Sequence, residues 1–234
     1  MIPLKDDTPR LTTPYVTYFL IALNTAVFIF EQVLARPARD IFLTQFGLVP
    51  ARLLGAFHGV PGASIGLGIL TIFTAMFLHA GWLHIISNMW VLWIFGDNIE
   101  DHLGHFRYLL FYFGTGAAAS LLHVAFNPGS QGPTIGASGA IAGVMGAYFL
   151  LYPSARVLTL IPFFILYFTW LPAWLVLGYW FVAQFLAGAA SSLASQKGEI
   201  AFWAHVGGFL AGLALIKLFP AQPRRYRYTD WPAR

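Results

Sequence analysis

Residues 132–153 read GPTIGASGAIAGVMGAYFLLYP, a stretch that is apolar enough to enter a membrane and that begins with a serine among small residues. Small residues let neighbouring helix backbones approach closely in a bilayer. Ser138 is therefore either a packing residue or a nucleophile held inside the membrane. The choice depends on which other polar groups the chain places at the same depth.

The whole chain shares this apolar character. Hydrophobic residues make up 58% of its 234 residues and charged residues 9%, whereas about a quarter of the residues in a typical soluble domain are charged. A soluble core does not absorb so much apolar surface, so the composition predicts an all-α, polytopic membrane protein with one compact domain. The sequence contains no cysteine, which excludes thiolate catalysis and cysteine-based metal sites.

Six apolar segments have about the length needed to cross a bilayer core, the fourth being short. They cover residues 14–34, 81–99, 106–126, 137–153, 170–193 and 200–219. The predicted organisation is a tail over 1–13, a six-helix membrane domain over 14–219 and a basic tail over 220–234. The long first loop mixes arginines with apolar pieces, which predicts an interfacial, partly membrane-embedded structure.

The distribution of Lys and Arg predicts the orientation of the spans. Of the 13 Lys and Arg residues, nine fall on the side that holds both tails, the 96–107 turn and the 154–169 loop. The other four are Arg36, Arg39, Arg52 and Lys197. The positive-inside bias then places both termini in the cytoplasm of a prokaryotic cell, and it accounts for the basic charge without a nucleic-acid partner.

Three polar side chains share one predicted depth. Ser138 lies fifteen residues before Pro153, and His205 lies fifteen residues before Pro220. At the rise of an α-helix, both are about 22 Å above the inner boundary. His84 is about 20 Å above the inner end of the second span by the same measure. All three therefore lie beneath the outer surface of a hydrocarbon core about 30 Å thick.

Serine becomes a nucleophile when a base removes its proton, and histidine is the usual base near neutral pH. His205 is the one histidine in the last three spans, and Asp and Glu occur only at span ends and turns. The pattern therefore allows a Ser-His pair but no Ser-His-Asp triad. The Pro and Gly residues before Ser138 leave backbone amides at a helix N-terminus, where they can stabilise an oxyanion.

The same residues also have a purely structural interpretation. Glycines spaced four apart let membrane helices pack closely, and two such pairs lie beside the polar residues. They are Gly139 with Gly143 and Gly208 with Gly212, and Gly136 is also assigned to helix packing. A serine beside such a pair is often a packing residue, and His84 with Asn88 one turn deeper can simply hydrogen-bond two helices together. Taken singly, these residues leave both interpretations open.

Taken together, the motifs resemble those of the rhomboid family of intramembrane serine proteases. The stretches HAGWLHIISNMWVLWIFGDNIED, GASG and AHVGGFLAG occur in the order and at the spacings of that family. The GxSG motif runs from Gly136 to Gly139, and the H-x-x-G-x-x-x-G motif of the final helix begins at His205. The resemblance implies a protein with six membrane spans. Such a protein would cleave single-span membrane proteins near the outer face of the bilayer.

The resemblance also implies roles for individual residues. Ser138 would form an acyl-enzyme, and His205 would act first as base and then as acid. The Ser138 amide, His84 and Asn88 would hold the oxyanion, and no metal or other cofactor would be needed. Many members carry Trp-Arg where this chain has Leu70 and Thr71, and some carry a tyrosine that stacks on the histidine where this chain has Ala142.

Other functions fit the sequence less well. A small transporter usually needs intramembrane charges or broken helices with ion ligands. A catalytically inactive relative that binds transmembrane segments generally lacks the serine or the histidine, and this chain keeps both. An intramembrane metalloprotease needs H-E-x-x-H, which is missing, and an aspartyl protease needs two membrane aspartates.

Overall fold

The computed structural model describes residues 1–162, 166–193 and 201–220. In chain order its elements are β1 (Ile2–Asp6), α1 (Tyr15–Val33), α2 (Arg36–Phe46), α3 (Pro50–Phe57), α4 (Ile65–Thr74), α5 (Trp82–Leu103), α6 (His105–Phe126), α7 (Ser138–Leu151), β2 (Arg156–Pro162), β3 (Leu166–Pro172), α8 (Ala173–Leu193) and α9 (Phe202–Leu215). Single 3₁₀ turns follow α4 and α9. The predicted basic tail beyond Pro220 and the start of the predicted sixth span lie outside the described residues.

Six of these helices, namely α1 and α5 to α9, lie where the sequence predicts spans. Three of them, α1, α6 and α8, are each long and apolar enough to cross a membrane. The α4 segment and α5 are bent by 83° at a short break and together form a fourth candidate, while α7 and α9 are shorter apolar helices. The prediction of a helical, multi-pass membrane bundle is confirmed, and the number of six crossings stays a prediction.

Helix α7 is the centre of the bundle. Its residues from Gly139 to Tyr148 are all buried, and it packs against α5, α6, α8 and α9. It has 14 residues, about 21 Å of helix, whereas the 22 residues of α6 span about 33 Å. Gly139 faces Ala119, which lies seven residues before the end of α6 at Phe126. Helix α7 therefore begins about 10 Å below that end of the bundle.

The helices approach most closely where glycine faces backbone. A Cβ atom at Gly208 would overlap the carbonyl oxygen of Gly139, and one at Gly212 would overlap the carbonyl oxygen of Gly143. These four glycines lie at the contact between α7 and α9, as the small-residue pattern suggests. Gly136 differs from them, because it lies in the loop before α7 and packs against a side chain of the site.

A three-stranded antiparallel sheet was not predicted from the sequence. It has the order β1–β2–β3, with Ile2 opposite Leu160 and Arg156 opposite Pro172. Alternate residues of β2, Val157 and Thr159, are buried, which is the two-residue period of a half-buried strand. The sheet takes up the first residues of the predicted fifth span, so α8 begins at residue 173 rather than 170.

The segments that the sequence places on one side of the membrane do meet at one end of the bundle. The sheet joins the N-terminal tail to the segment after α7. The backbone N–H of Leu11 donates to the Asp101 carboxylate at 2.9 Å, and Arg107 donates to the carbonyl of Pro220 at 3.2 Å. This grouping agrees with the predicted topology, and its cytoplasmic location stays a prediction.

We expect Gly212→Ala to lower the free energy of unfolding by about 1–3 kcal/mol, the usual cost of overpacking a core. The added methyl group would meet the backbone of α7, which does not rotate away as a flexible side chain would. Unfolding of the purified protein in detergent measures the change. Gly178→Ala is the matched control, because its Cβ would make an ordinary contact 3.6 Å from the Phe149 ring. Equal stability of the two variants would contradict the close contact.

Candidate active site

Ser138 and His205 meet at the contact between α7 and α9. Ser138 is the first residue of α7 and His205 lies in the first turn of α9, and the His205 Nε2 atom lies 2.7 Å from the Ser138 Oγ atom. The close backbone contact between Gly139 and Gly208 allows a short serine side chain to reach the other helix. The structure thus brings together the two residues that the sequence places at one depth.

The other ring nitrogen of His205 also has a partner. Its Nδ1 atom lies 2.7 Å from the Oε1 atom of Gln184 on α8. The ring of Trp180, one turn earlier on α8, lies beside the imidazole with centroids 5.7 Å apart. Neither residue was identified from the sequence, although Gln184 is an amide in the middle of an apolar run. Trp180 contacts the histidine from α8, whereas Ala142 stands at the position where some members of the family that the sequence resembles carry a stacking tyrosine.

His84 approaches the same place from α5. Its Nδ1 atom accepts a hydrogen bond from the backbone N–H of Ala80 at 3.3 Å, so in the neutral ring the proton is on Nε2. That Nε2 atom lies against Gly136, where a Cβ would be only 2.7 Å away. Gly136 also has a φ of 126°, a conformation that favours glycine. Glycine is thus needed at position 136 because of its backbone conformation and the nearby His84 ring, rather than for helix packing.

Asn88 lies one turn below His84 on α5. It is 7% exposed, and its Nδ2 donor has no hydrogen-bond partner among the described residues. A buried donor without a partner is costly and is uncommon in native structures. The Ser138 amide belongs to the first turn of α7, where backbone N–H groups have no acceptor within the helix. Asn88 on α5 and the first turn of α7 therefore both carry donors without an acceptor among the described residues.

The loop over residues 127–136 has its backbone paired with the first loop. Leu48 and Thr134 exchange two backbone hydrogen bonds of 3.1 and 2.8 Å, and the Gly136 amide donates to the carbonyl of Ala75 at 2.8 Å. His123 also holds the loop, through a 2.8 Å hydrogen bond between its Nε2 atom and the Thr134 hydroxyl. These bonds satisfy polar groups that lipid would leave unpaired.

A cavity opens beside the serine. It has about 360 Å³ of empty space, including space open to the surroundings. Its wall includes Ser138, Gly136, Thr134 and Ala204, so part of the 127–136 loop lines it, together with part of the first loop. Among the described residues, α8 contributes none to the lining and instead contacts His205.

The chain is similar to a known protein family. The family model of the Rhomboid domain matches residues 67–222, which is more than half of the chain and includes all the site residues described above. The chain therefore belongs to the rhomboid family, and it is an integral membrane protein of that family of intramembrane proteases.

The relatives include a mitochondrial protein and two bacterial proteins. The chain is 29% identical over 202 residues to "Rhomboid protein 1, mitochondrial" of Saccharomyces cerevisiae, covering 84% of this chain and 51% of the yeast protein. It is 31% identical to "Rhomboid protease GluP" of Bacillus subtilis over 59% of this chain and 24% of that protein. It is also 31% identical to "Putative rhomboid protease YdcA" of the same organism, over 58% and 61% of the two chains. The chain thus spans between about a quarter and three fifths of these relatives.

The cavity leads to a prediction about water access. We expect the variants Ser138→Cys and Gln131→Cys to react with a membrane-impermeant thiol reagent added on the outer side, because Gln131 is exposed and Ser138 lines the cavity. The natural chain has no cysteine, so each variant reports one position. Ala142→Cys is the control, because Ala142 is fully buried. Labelling of Ser138→Cys only from the inner side would contradict the predicted orientation of the cavity.

Proposed function

We propose that the chain is an intramembrane serine endopeptidase that cleaves transmembrane segments near the outer face of the bilayer. The observation that carries this proposal is the 2.7 Å contact between His205 Nε2 and Ser138 Oγ beside an open cavity. A serine with a base within hydrogen-bond distance is the arrangement that nucleophilic acyl transfer requires. Two bacterial relatives are named as proteases, which agrees with this proposal.

The first step is acylation of Ser138. The Oγ atom attacks the carbonyl carbon of the scissile peptide bond, and His205 Nε2 takes the hydroxyl proton. The tetrahedral intermediate then collapses, the C–N bond breaks, and His205 gives its proton to the leaving amine. This leaves an ester on Ser138 and a neutral imidazole.

The developing oxyanion needs donors that are already in place. The candidates are the unpaired Asn88 Nδ2 group, the Ser138 amide and the proton-bearing Nε2 atom of His84, which lies with Ser138 Oγ beside Gly136. Because these donors are free before substrate binds, little reorganisation is needed when negative charge appears on the oxygen. No metal or organic cofactor enters these steps.

Deacylation requires water, and the cavity beside Ser138 is where the proposal places it. His205 removes a proton from that water and the hydroxide attacks the ester carbonyl carbon. The C–Oγ bond then breaks, the carboxyl product leaves, and the proton returns to Ser138 Oγ. A helical substrate must also unwind at the cleavage point, because its carbonyls are hydrogen-bonded within the helix. We therefore propose single-span membrane proteins with an easily unwound outer half as substrates. The prokaryotic cell membrane stays a prediction, since relatives also occur in mitochondria.

We expect Ser138→Ala and His205→Ala each to abolish cleavage of a single-span test substrate, and the double variant to be no worse than either, because residues that act as a unit do not add. A gel assay of purified protein in lipid vesicles measures cleavage.

A fluorophosphonate probe should label Ser138 in the wild type and fail to label it in His205→Ala, since a serine without a base is inert to the probe.

Three results would overturn this assignment. Near-full activity of Ser138→Ala would show that another group performs the chemistry. A wild-type protein that binds the substrate but neither cleaves it nor takes the probe would be a catalytically inactive, segment-binding relative. Transport of a solute without any cleavage would favour the small-transporter alternative.

We expect Asn88→Ala to lower kcat with KM unchanged, because an oxyanion donor acts mainly in the transition state. Loss of one such donor costs about 10²–10³ in soluble enzymes, which sets the upper end of the effect. Ser87→Ala is the matched control, because the Ser87 hydroxyl is exposed and bonds only the carbonyl of His84 at 3.0 Å. A raised KM with unchanged kcat would assign Asn88 to substrate docking.

A further inference from the structure

We propose that Gln184 is a positioning residue that fixes the protonation form and the orientation of His205. This inference rests on the proposed function, in which His205 serves Ser138 as base. The observation is the 2.7 Å hydrogen bond between His205 Nδ1 and Gln184 Oε1, on the side of the ring opposite the serine. Among the described residues no carboxylate hydrogen-bonds His205.

The bond selects one form of the imidazole. A neutral histidine carries its proton on only one ring nitrogen, and an amide oxygen only accepts hydrogen bonds. With Gln184 Oε1 as acceptor, the proton is on Nδ1, so the lone pair of Nε2 faces the Ser138 hydroxyl. That is the form a general base needs. In soluble triads an aspartate holds the imidazole in this way.

A neutral amide suits the surroundings of this histidine. His205 lies in an apolar helix inside the bundle, and a charged partner at such depth is costly. Gln184 supplies the accepting oxygen without a charge. It is partly buried and lies in the middle of α8, where both chain neighbours, Ala183 and Phe185, are apolar.

Helix α8 makes a second contact with the same ring. Trp180 precedes Gln184 by four residues and so lies on the same face of α8, with its ring centroid 5.7 Å from that of His205. The amide fixes the rotation of the imidazole and the indole limits its tilt. The readiness of the base thus depends on where α8 lies relative to α9.

The test compares two variants at the same position. Gln184→Leu removes the acceptor at similar size, and we expect it to lower both kcat and the rate of fluorophosphonate labelling about 10–100-fold, the usual effect of losing a partner that orients a functional histidine. KM and the melting temperature should stay unchanged. Gln184→Glu keeps an accepting oxygen and should retain kcat within a few-fold of the wild type. Val182→Leu, at an exposed position of α8, is the control.

A readout that needs no turnover separates this inference from the proposed function. The ¹⁵N NMR spectrum of histidine-labelled protein should show His205 with its proton on Nδ1 in the wild type and in Ser138→Ala, and a changed form in Gln184→Leu. His205→Ala identifies the signal. Wild-type labelling rates in Gln184→Leu, or an unchanged His205 spectrum in that variant, would overturn the positioning role. The expected spectra in a protein that cleaves nothing would refute the protease proposal alone.

Discussion

The backbone contact between α7 and α9 is the constraint on which the site depends. A serine side chain extends only a short way from its helix, so a base on another helix reaches it only when the two backbones nearly touch. Gly139 against Gly208, and Gly143 against Gly212, provide that approach, since a Cβ at Gly208 or Gly212 would overlap a carbonyl oxygen of α7. Membrane helices gain little from apolar burial against lipid, and close van der Waals packing of this kind is what holds them together. The same glycines therefore stabilise the fold and set the distance of 2.7 Å between Oγ and Nε2.

The shortness of α7 has a consequence for the loop that precedes it. A helix that begins about 10 Å below its neighbour's end leaves a non-helical segment at membrane depth. Lipid offers no partners for such a backbone, so the partners come from protein. The first loop supplies them through Leu48 and Ala75. The loop that closes the top of α7 and the loop that follows α1 are thus one structural unit, and the cavity lies between this unit and helices α6, α7 and α9.

The sequence predicted the site best where residues far apart in the chain could be compared by one quantity, their depth along a membrane helix. Counting from inner boundaries predicted that Ser138, His205 and His84 would share a level, and the structure brings them together at one site. The method failed for the sheet, because β1 pairs with residues more than 150 positions away and neither partner shows a strong local signal. Gln184 was missed for another reason. The usual partner of a catalytic histidine is a carboxylate, so a neutral amide in an apolar helix does not stand out in the sequence.

The neutral partner of His205 bears on how acid–base chemistry operates within a bilayer. In water-exposed triads a carboxylate orients the histidine and stabilises its charged form. At the centre of a membrane helix an aspartate costs about 2.5–3.5 kcal/mol on insertion scales, so that solution weakens the fold that carries the site. An amide keeps the orienting function at lower cost but gives less stabilisation to the imidazolium ion. In the proposed mechanism, the oxyanion donors would then carry a larger share of transition-state stabilisation. Donors left unpaired before substrate binds, such as Asn88 Nδ2, are the expected counterpart of a neutral partner on the histidine.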